Sequence, residues 1–327
     1  MLDGKSKMIF LPEYETRKTY MKTIVVIFPY FGILPVQYKM WRASALRNPS
    51  VDFMFFTDAD IEPAKNIIVH KMKFDDFQKI VQKAFDFPIV LDRPYKLCEY
   101  KQAYGFILQD YIKNYDFWGF GDLDLVYGDI RAFITDEVLI HKFVLGWGHF
   151  TLLHNDDETN SFFKKQELGY QSFKDAFTTS KIVFFDEFNH KGCSDKWRDC
   201  RPSDCWLEEP FDNVSKPKQS YHFCSLNRGW EQVIFEHIDN KLYMLRFNNG
   251  KLEGKESLYA HFQHRNFMKD KVTDYNHFLV TPNSIVDYPK HFSELRMYYM
   301  CRKRVIKTKL YWWKDYLIWR FHMEKWR

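Results

Sequence analysis

Phe117-Trp118-Gly119-Phe120-Gly121-Asp122-Leu123-Asp124-Leu125-Val126-Tyr127-Gly128-Asp129 is the stretch around which the rest of the chain arranges itself. The apolar run from Phe117 to Phe120 reads as a buried strand. It leads into two carboxylates, Asp122 and Asp124, one residue apart. Side chains two apart on a strand share a face. If the strand continues through Leu123, both carboxylates therefore address one spot at its end. Two ionised carboxylates that close repel each other, and a hard cation such as Mg²⁺ or Mn²⁺ removes that cost, since oxygen ligands suit both ions. The competing reading is a solvated loop, where aspartates are common. The aromatic strand and the neighbouring Gly119, Gly121 and Gly128 favour a metal–diphosphate site, because glycine admits close backbone approach to a ligand.

Upstream, Thr23 to Phe28 is a β-branched run that ends at Pro29-Tyr30-Phe31-Gly32, a first buried strand and the loop after it. Val36 to Leu46 reads as a helix, stopped by Asn48-Pro49. Val51 to Asp58 is a second strand ending in an acid, and Lys65 to His70 holds a third. Strand–helix–strand order with apolar strands implies a parallel sheet, whose ligand crevice lies at the carboxyl ends of the strands. That puts Pro29–Gly32, Asp58–Asp60 and Asp122–Asp124 at one rim. Phe74 to Phe85 is an amphipathic helix, and a longer helix is expected from Tyr95 to about Lys113. Lys96 and Lys101 in its first turns are either solvated or reach phosphates or a rim aspartate.

Downstream, Ile130 to Ile140 reads as a helix and Phe143 to Leu153 as a strand interrupted by Gly146 and Gly148. His149 within it reads as a core or rim histidine. Asp157 to Thr178 is helical in pieces. Ile182 to Glu187 reads as a short strand ending in acids, so Asp186 or Glu187 is a candidate general base or charge stabiliser. Residues 189–220 are polar and loop-rich, a candidate acceptor lid. Lys241 to Phe247 and Asn248-Asn249-Gly250 predict a hairpin into Leu252. In Tyr259 to Asn266, His261, His264 and Arg265 are either surface residues or partners for metal and phosphate.

The chain has 327 residues, of which 46% are hydrophobic and 19% aromatic. That composition belongs to a folded protein, not a disordered one. Net charge is +5, unevenly spread: from Arg296 to Arg327 ten Lys/Arg face two Asp/Glu, a net of +8, which leaves −3 for the rest. An acidic body without a recognition motif argues against nucleic acid. The tail carries Trp312, Tyr316, Trp319, Met323 and Trp326 at helical spacing among basic residues. It reads as an amphipathic helix for an anionic membrane surface, or as one packed on the body. The six cysteines are too few for a disulfide scaffold, and His190, Cys193, Cys200 and Cys205 lack paired zinc knuckles. Ile24 to Val36, the longest apolar segment, falls short of the roughly 20 residues a membrane span needs. The expected location is cytoplasmic, or peripheral on the inner face of the membrane.

Together these residues resemble a bacterial glycosyltransferase family associated with surface (capsular or O-antigen) polysaccharide synthesis. The likeness is carried by Phe28-Pro29-Tyr30-Phe31-Gly32, Phe56-Thr57-Asp58, Pro94 to Cys98, Lys101 to Gly105, Asp116 to Gly119, Asp122-Leu123-Asp124, Gly128 to Arg131, Gly148 to Thr151 and His261-Phe262-Gln263. It covers roughly residues 22–270. The resemblance implies a GT-A fold: a Rossmann-like, mostly parallel sheet flanked by helices. Residues 1–21 would be an extension and 22–295 the catalytic domain, with a nucleotide-sugar half at 22–130 and an acceptor half at 131–295. Residues 296–327 would form the helical tail. It implies Asp122, Asp124 and His261 as ligands of Mn²⁺ or Mg²⁺. Pro29, Tyr30, Phe31, Gly32, Asp58, Lys96, Lys101, Asp122, His264 and Arg265 would contact the donor. Asp186 or Glu187 would serve the acceptor, a glycan or lipid-linked glycan. Two rivals use the same residues: a metal-dependent nucleotidyltransferase or phosphohydrolase, and a non-catalytic nucleotide-sugar-binding protein at the membrane.

Overall fold

The computed structural model describes residues 21–216, 223–263, 269–282, 284–302 and 313. Its main sheet has seven strands: β1 (Ile24–Tyr30), β2 (Val51–Thr57), β3 (Ile67–Lys71), β4 (Phe117–Gly121), β6 (Phe143–Trp147), β7 (Phe150–His154) and β8 (Cys205–Trp206). They run in the order β3-β2-β1-β4-β7-β6-β8. The first four are parallel, β7 is antiparallel to β4, and β6 and β7 form a hairpin. The architecture is mixed α/β.

The β-branched and aromatic composition of β1 explains its central place. Val25 and Ile27 join a core with Tyr104, Trp118 and Phe120 on one face. Ile24, Val26 and Phe28 join another with Trp41, Phe53 and Phe55 on the opposite face. A strand buried on both faces needs a continuous apolar run, as parallel strands do. Trp41 comes from α1 (Tyr38–Leu46), and Phe77 and Val81 come from α2 (Phe74–Lys83), so the two helices seal opposite faces.

Two further sheets, of seven and three strands, complete the fold. β11 (Trp230–Ile238), β12 (Lys241–Asn248), β13 (Lys251–Ser257), β15 (Lys269–Lys271), β16 (His277–Val280) and β17 (Ser284–Asp287) form one, with β10 (Phe223–Ser225) paired to β11. The Asn248–Lys251 turn falls where the sequence places a hairpin. The other joins β5 (Leu125–Tyr127), β9 (Asp212–Asn213) and β14 (Tyr259–His261). Met40 of α1 and Val126 of β5 enter the core of the larger of these sheets, so the two halves share buried surface.

Several expectations are corrected. The strand from Phe117 ends at Gly121, and Leu123-Asp124 form a turn rather than its continuation. The 143–153 segment is a hairpin that reverses at Gly148-His149, and Leu145 and Gly146, with φ of 71° and 79°, form a bulge in its first strand. The helix expected over 95–113 is a 3₁₀ segment, Pro94–Ala103, followed by two single turns. The helix expected over 130–140 is two short turns, Ile130–Phe133 and Val138–Ile140. Residues 182–187 form no strand, since the Glu99 carboxylate takes the backbone N–H groups of Val183, Phe184 and Phe185. Within the polar 189–220 stretch, Cys193–Cys200 is a helix. Cys98, Cys193, Cys200 and Cys205 are free thiols. At the C-terminus, helix Glu294–Arg302 is described. The basic tail beyond it, Trp313 excepted, lies outside the described residues, as does the extension before residue 21. Among the described residues no helix is long and apolar enough to cross a membrane.

The seam between β4 and β7 is tight. A Cβ on Gly119 would lie 2.3 Å from the Thr151 carbonyl oxygen. Overpacking of this kind costs roughly 1–3 kcal/mol, so Gly119→Ala should lower the urea unfolding midpoint by a corresponding amount. An unchanged midpoint would contradict the close approach of these strands.

Candidate functional site

The strand order brings the carboxyl ends of β1 and β4 together, and a cavity of about 510 Å³ opens there. It is lined by Pro29, Tyr30 and Phe31, by Asp122 and Asp124, and by Asp186 and Glu187. These segments come from three separate parts of the sequence.

The carboxylates converge although the strand does not continue. The Asp122 N–H donates to the His149 carbonyl at 3.1 Å, which extends the β4–β7 ladder by one residue. The chain then turns at Leu123-Asp124 and enters β5. β14 pairs antiparallel with β5, with His261 opposite Leu125. The Phe262 N–H donates to the Asp124 carbonyl at 3.0 Å. His261 therefore arrives beside Asp124, with Nε2 at 3.6 Å from Asp124 Oδ1. One ligand atom from each of Asp122, Asp124 and His261 lies within 4.8 Å of the others, so the three could hold a metal ion.

The surroundings orient these groups. His261 Nδ1–H donates to Asn213 Oδ1 at 3.1 Å, which turns Nε2 toward the aspartates. Gln263 Nε2 donates to the same oxygen at 2.7 Å. The His149 ring lies 4.2 Å from that of His261. Its Nδ1 is 3.0 Å from the Tyr259 hydroxyl. Burial, then the nearby His261 and Lys101 charges, hold its pKa well below the usual histidine range, so it is neutral.

Lys101 is the counter-charge. Its Nζ donates to Asp122 Oδ1 at 2.8 Å and to the Gly148 carbonyl at 2.7 Å, and lies 3.6 Å from Asp186 Oδ2. Burial opposes its charge, but the Asp122 and Asp186 carboxylates outweigh burial and raise its pKa. It pairs with a rim aspartate, as one of its two sequence readings holds. Gly148 lies close under the acidic loop, since a Cβ there would come within 2.8 Å of Glu187 Cγ and 3.0 Å of Asp186 Oδ2. Asp186 is 2% exposed. Burial pushes its carboxyl up to about 7, against the pull of Lys101.

Other expected site residues lie elsewhere. Lys96 is fully buried and donates to the Ala176 and Lys181 carbonyls at 3.0 and 2.6 Å, so it ties down a loop and does not line the cavity. Asp58 Oδ1 accepts the Gly32 N–H at 2.8 Å, a brace between the loops after β1 and β2, and neither residue lines the cavity. His264 and Arg265 lie outside the described residues. Sequence reasoning passed over Glu99, whose buried carboxylate accepts from three consecutive N–H groups at 2.6–3.1 Å and fixes the loop that carries Asp186. A lone acid inside an apolar helix pattern was the available signal. Asn213 carried none, because only β9–β14 pairing brings it to His261.

The chain belongs to the family of unknown function DUF6625, whose pattern matches residues 26–289. That span contains every residue of the site just described. No curated protein matches the chain.

The raised Asp186 pKa has a measurable consequence. An acid with a higher pKa in the native than in the unfolded chain binds its proton more tightly when folded. Its stabilising contribution is present below the ordinary carboxylate range and is lost as pH rises through about 7. Asp186→Asn removes that loss. From about pH 5 to about pH 8, urea stability should therefore shift in the variant's favour relative to the parent. A pH-independent difference would show that Asp186 titrates normally.

Proposed function

We propose that the chain is a metal-dependent glycosyltransferase. It moves a sugar from a nucleotide-diphosphate sugar to a hydroxyl of a glycan or glycolipid acceptor, in surface polysaccharide synthesis. The observation that carries this reading is the Asp122–Asp124–His261 cluster, whose two aspartates line a cavity formed where parallel strands end. Open α/β sheets bind nucleotide ligands in that crevice. The parallel β3-β2-β1-β4 order with an antiparallel β7 beside it supports a GT-A arrangement.

The donor set fits Mn²⁺ or Mg²⁺, with two hard carboxylate oxygens and one imidazole nitrogen favouring Mn²⁺. When bound, the ion would act as a Lewis acid that neutralises the departing diphosphate. The protein's own contributions are positional and electrostatic. Asn213 orients His261. Lys101 limits the repulsion between Asp122 and Asp186. Pro29, Tyr30 and Phe31 supply an apolar wall of the size a nucleoside fills. Asp186, with its carboxyl near 7, is matched to accept a proton from an acceptor hydroxyl at neutral pH. The basic tail would hold the protein on anionic lipid near a lipid-linked acceptor.

A thermal-shift panel of UDP-, GDP-, CMP- and dTDP-sugars, each with and without Mn²⁺, tests the reading. A ligand at about a hundredfold its Kd adds about 2.7 kcal/mol to native stability. One nucleotide class should raise Tm by several degrees, only with metal, and Asp122→Asn should abolish the shift. Turnover should release a nucleoside diphosphate. Release of pyrophosphate or phosphate would favour the nucleotidyltransferase or phosphohydrolase alternative, and no shift across the panel would remove the donor site.

A further inference from the structure

Two aromatic side chains line the cavity beside Asp186 and Glu187. Tyr95 is 57% exposed and Phe184 is 39% exposed, yet both line the cavity. Large aromatic rings are usually buried, and an exposed pair facing one concave space needs a reason.

The protein holds both rings in place with buried charge. Tyr95 stands at the start of the Pro94–Ala103 segment, and the next residue, Lys96, ties that segment to the Ala176 and Lys181 carbonyls. Three residues further on, Glu99 takes the N–H groups of Val183, Phe184 and Phe185. Two fully buried ionisable side chains of one segment thus lock the backbone of the opposing loop. Phe184 is held at φ 61°, a left-handed conformation that a bulky residue seldom adopts. His190 backs its ring, with centroids 4.6 Å apart. The strained backbone therefore presents an aromatic ring beside Asp186 and Glu187.

The charge pattern states what that ring faces. Lys101 is the single cation among the described residues lining the cavity, and it is engaged by Asp122 and Asp186. With Asp186 and Glu187 beside it, the aromatic wall repels phosphate. It suits an uncharged ligand with an apolar face and hydroxyl donors at its edge. A pyranose ring has that chemistry: its axial C–H groups pack on an aromatic face, and its hydroxyls donate to carboxylates.

The geometry points to Tyr95 and Phe184 as a platform for a pyranose ring, with Glu187 receiving its hydroxyls. The platform rests on the glycosyl-transfer reading, and it names the side chains that select the sugar. The ring is either the donor's sugar or the acceptor's.

The test uses the full chain with Mg²⁺, which is diamagnetic, and the variants Tyr95→Ala, Phe184→Ala, Tyr95→Phe and Phe184→Tyr. Saturation-transfer NMR is run with methyl glycosides of glucose, galactose, mannose and N-acetylglucosamine. Calorimetry is run with UDP, GDP and dTDP and with the matching nucleotide sugars. Each alanine variant should weaken the sugar-bearing ligand at least about tenfold, while the aromatic replacements retain it. Binding of the nucleoside diphosphates should change less than about twofold. A free glycoside that binds marks the acceptor ring, and a sugar bound only through its nucleotide marks the donor ring. Sugar binding without any nucleotide binding would overturn the transfer reading and leave the platform standing. Alanine variants that bind every saccharide like the parent would overturn the platform. So would a parent that binds none, or a loss of nucleoside diphosphate equal to the loss of sugar.

Discussion

The site depends on one buried ammonium. Lys101 sits between Asp122 and Asp186 and also donates to the Gly148 carbonyl. Without it, two carboxylates from separate segments would share a poorly solvated space. Removing one partner of a buried ion pair costs about 3–5 kcal/mol, because the other charge is left uncompensated. Lys101 therefore joins Asp122, just after the end of β4, to the loop that carries Asp186. It also leaves Asp186 at the edge of ionisation, where a carboxyl can exchange a proton near neutral pH.

Around that pair, polar side chains of neighbouring segments, most of them buried, fix irregular backbone. Glu99 and Lys96 hold the loop before Asp186, and Asp58 braces the loop after β1. Asp195 accepts from the N–H groups of Asn189, His190 and Lys191 in the same way. Loops at the ends of strands cannot satisfy their donors through a ladder, so charged acceptors do it. The result is a cavity whose walls are set by a rigid scaffold although they are not regular structure.

The parallel strands were legible because burial on both faces demands an unbroken apolar run, and Ile24–Phe28 and Phe53–Phe56 supply one. The Asp122–Asp124 pair was legible for the same reason: two acids directly after such a run stand out. The 182–187 segment was misread because its apolar residues look like a strand, while the acceptor that captures its N–H groups lies far away in sequence. Lys96 and Lys101 were indistinguishable in sequence, both lysines in one short segment. Tertiary contacts sent one to loop carbonyls and the other to the carboxylates.

By itself, the sequence determined a mixed α/β fold with parallel β1 to β4, and it marked two carboxylates at a strand end as the centre of interest. Local periodicity and burial set those features, and both are written in the order of the residues. Only the tertiary structure decided that His261 reaches Asp124 through β5–β14 pairing, that Asn213 orients it, and that Lys101 rather than Lys96 balances the charge. It also decided that Tyr95 and Phe184 share one cavity. These are meetings between segments distant in the chain, and no local pattern encodes them, because strand pairing and charge compensation depend on the whole fold closing.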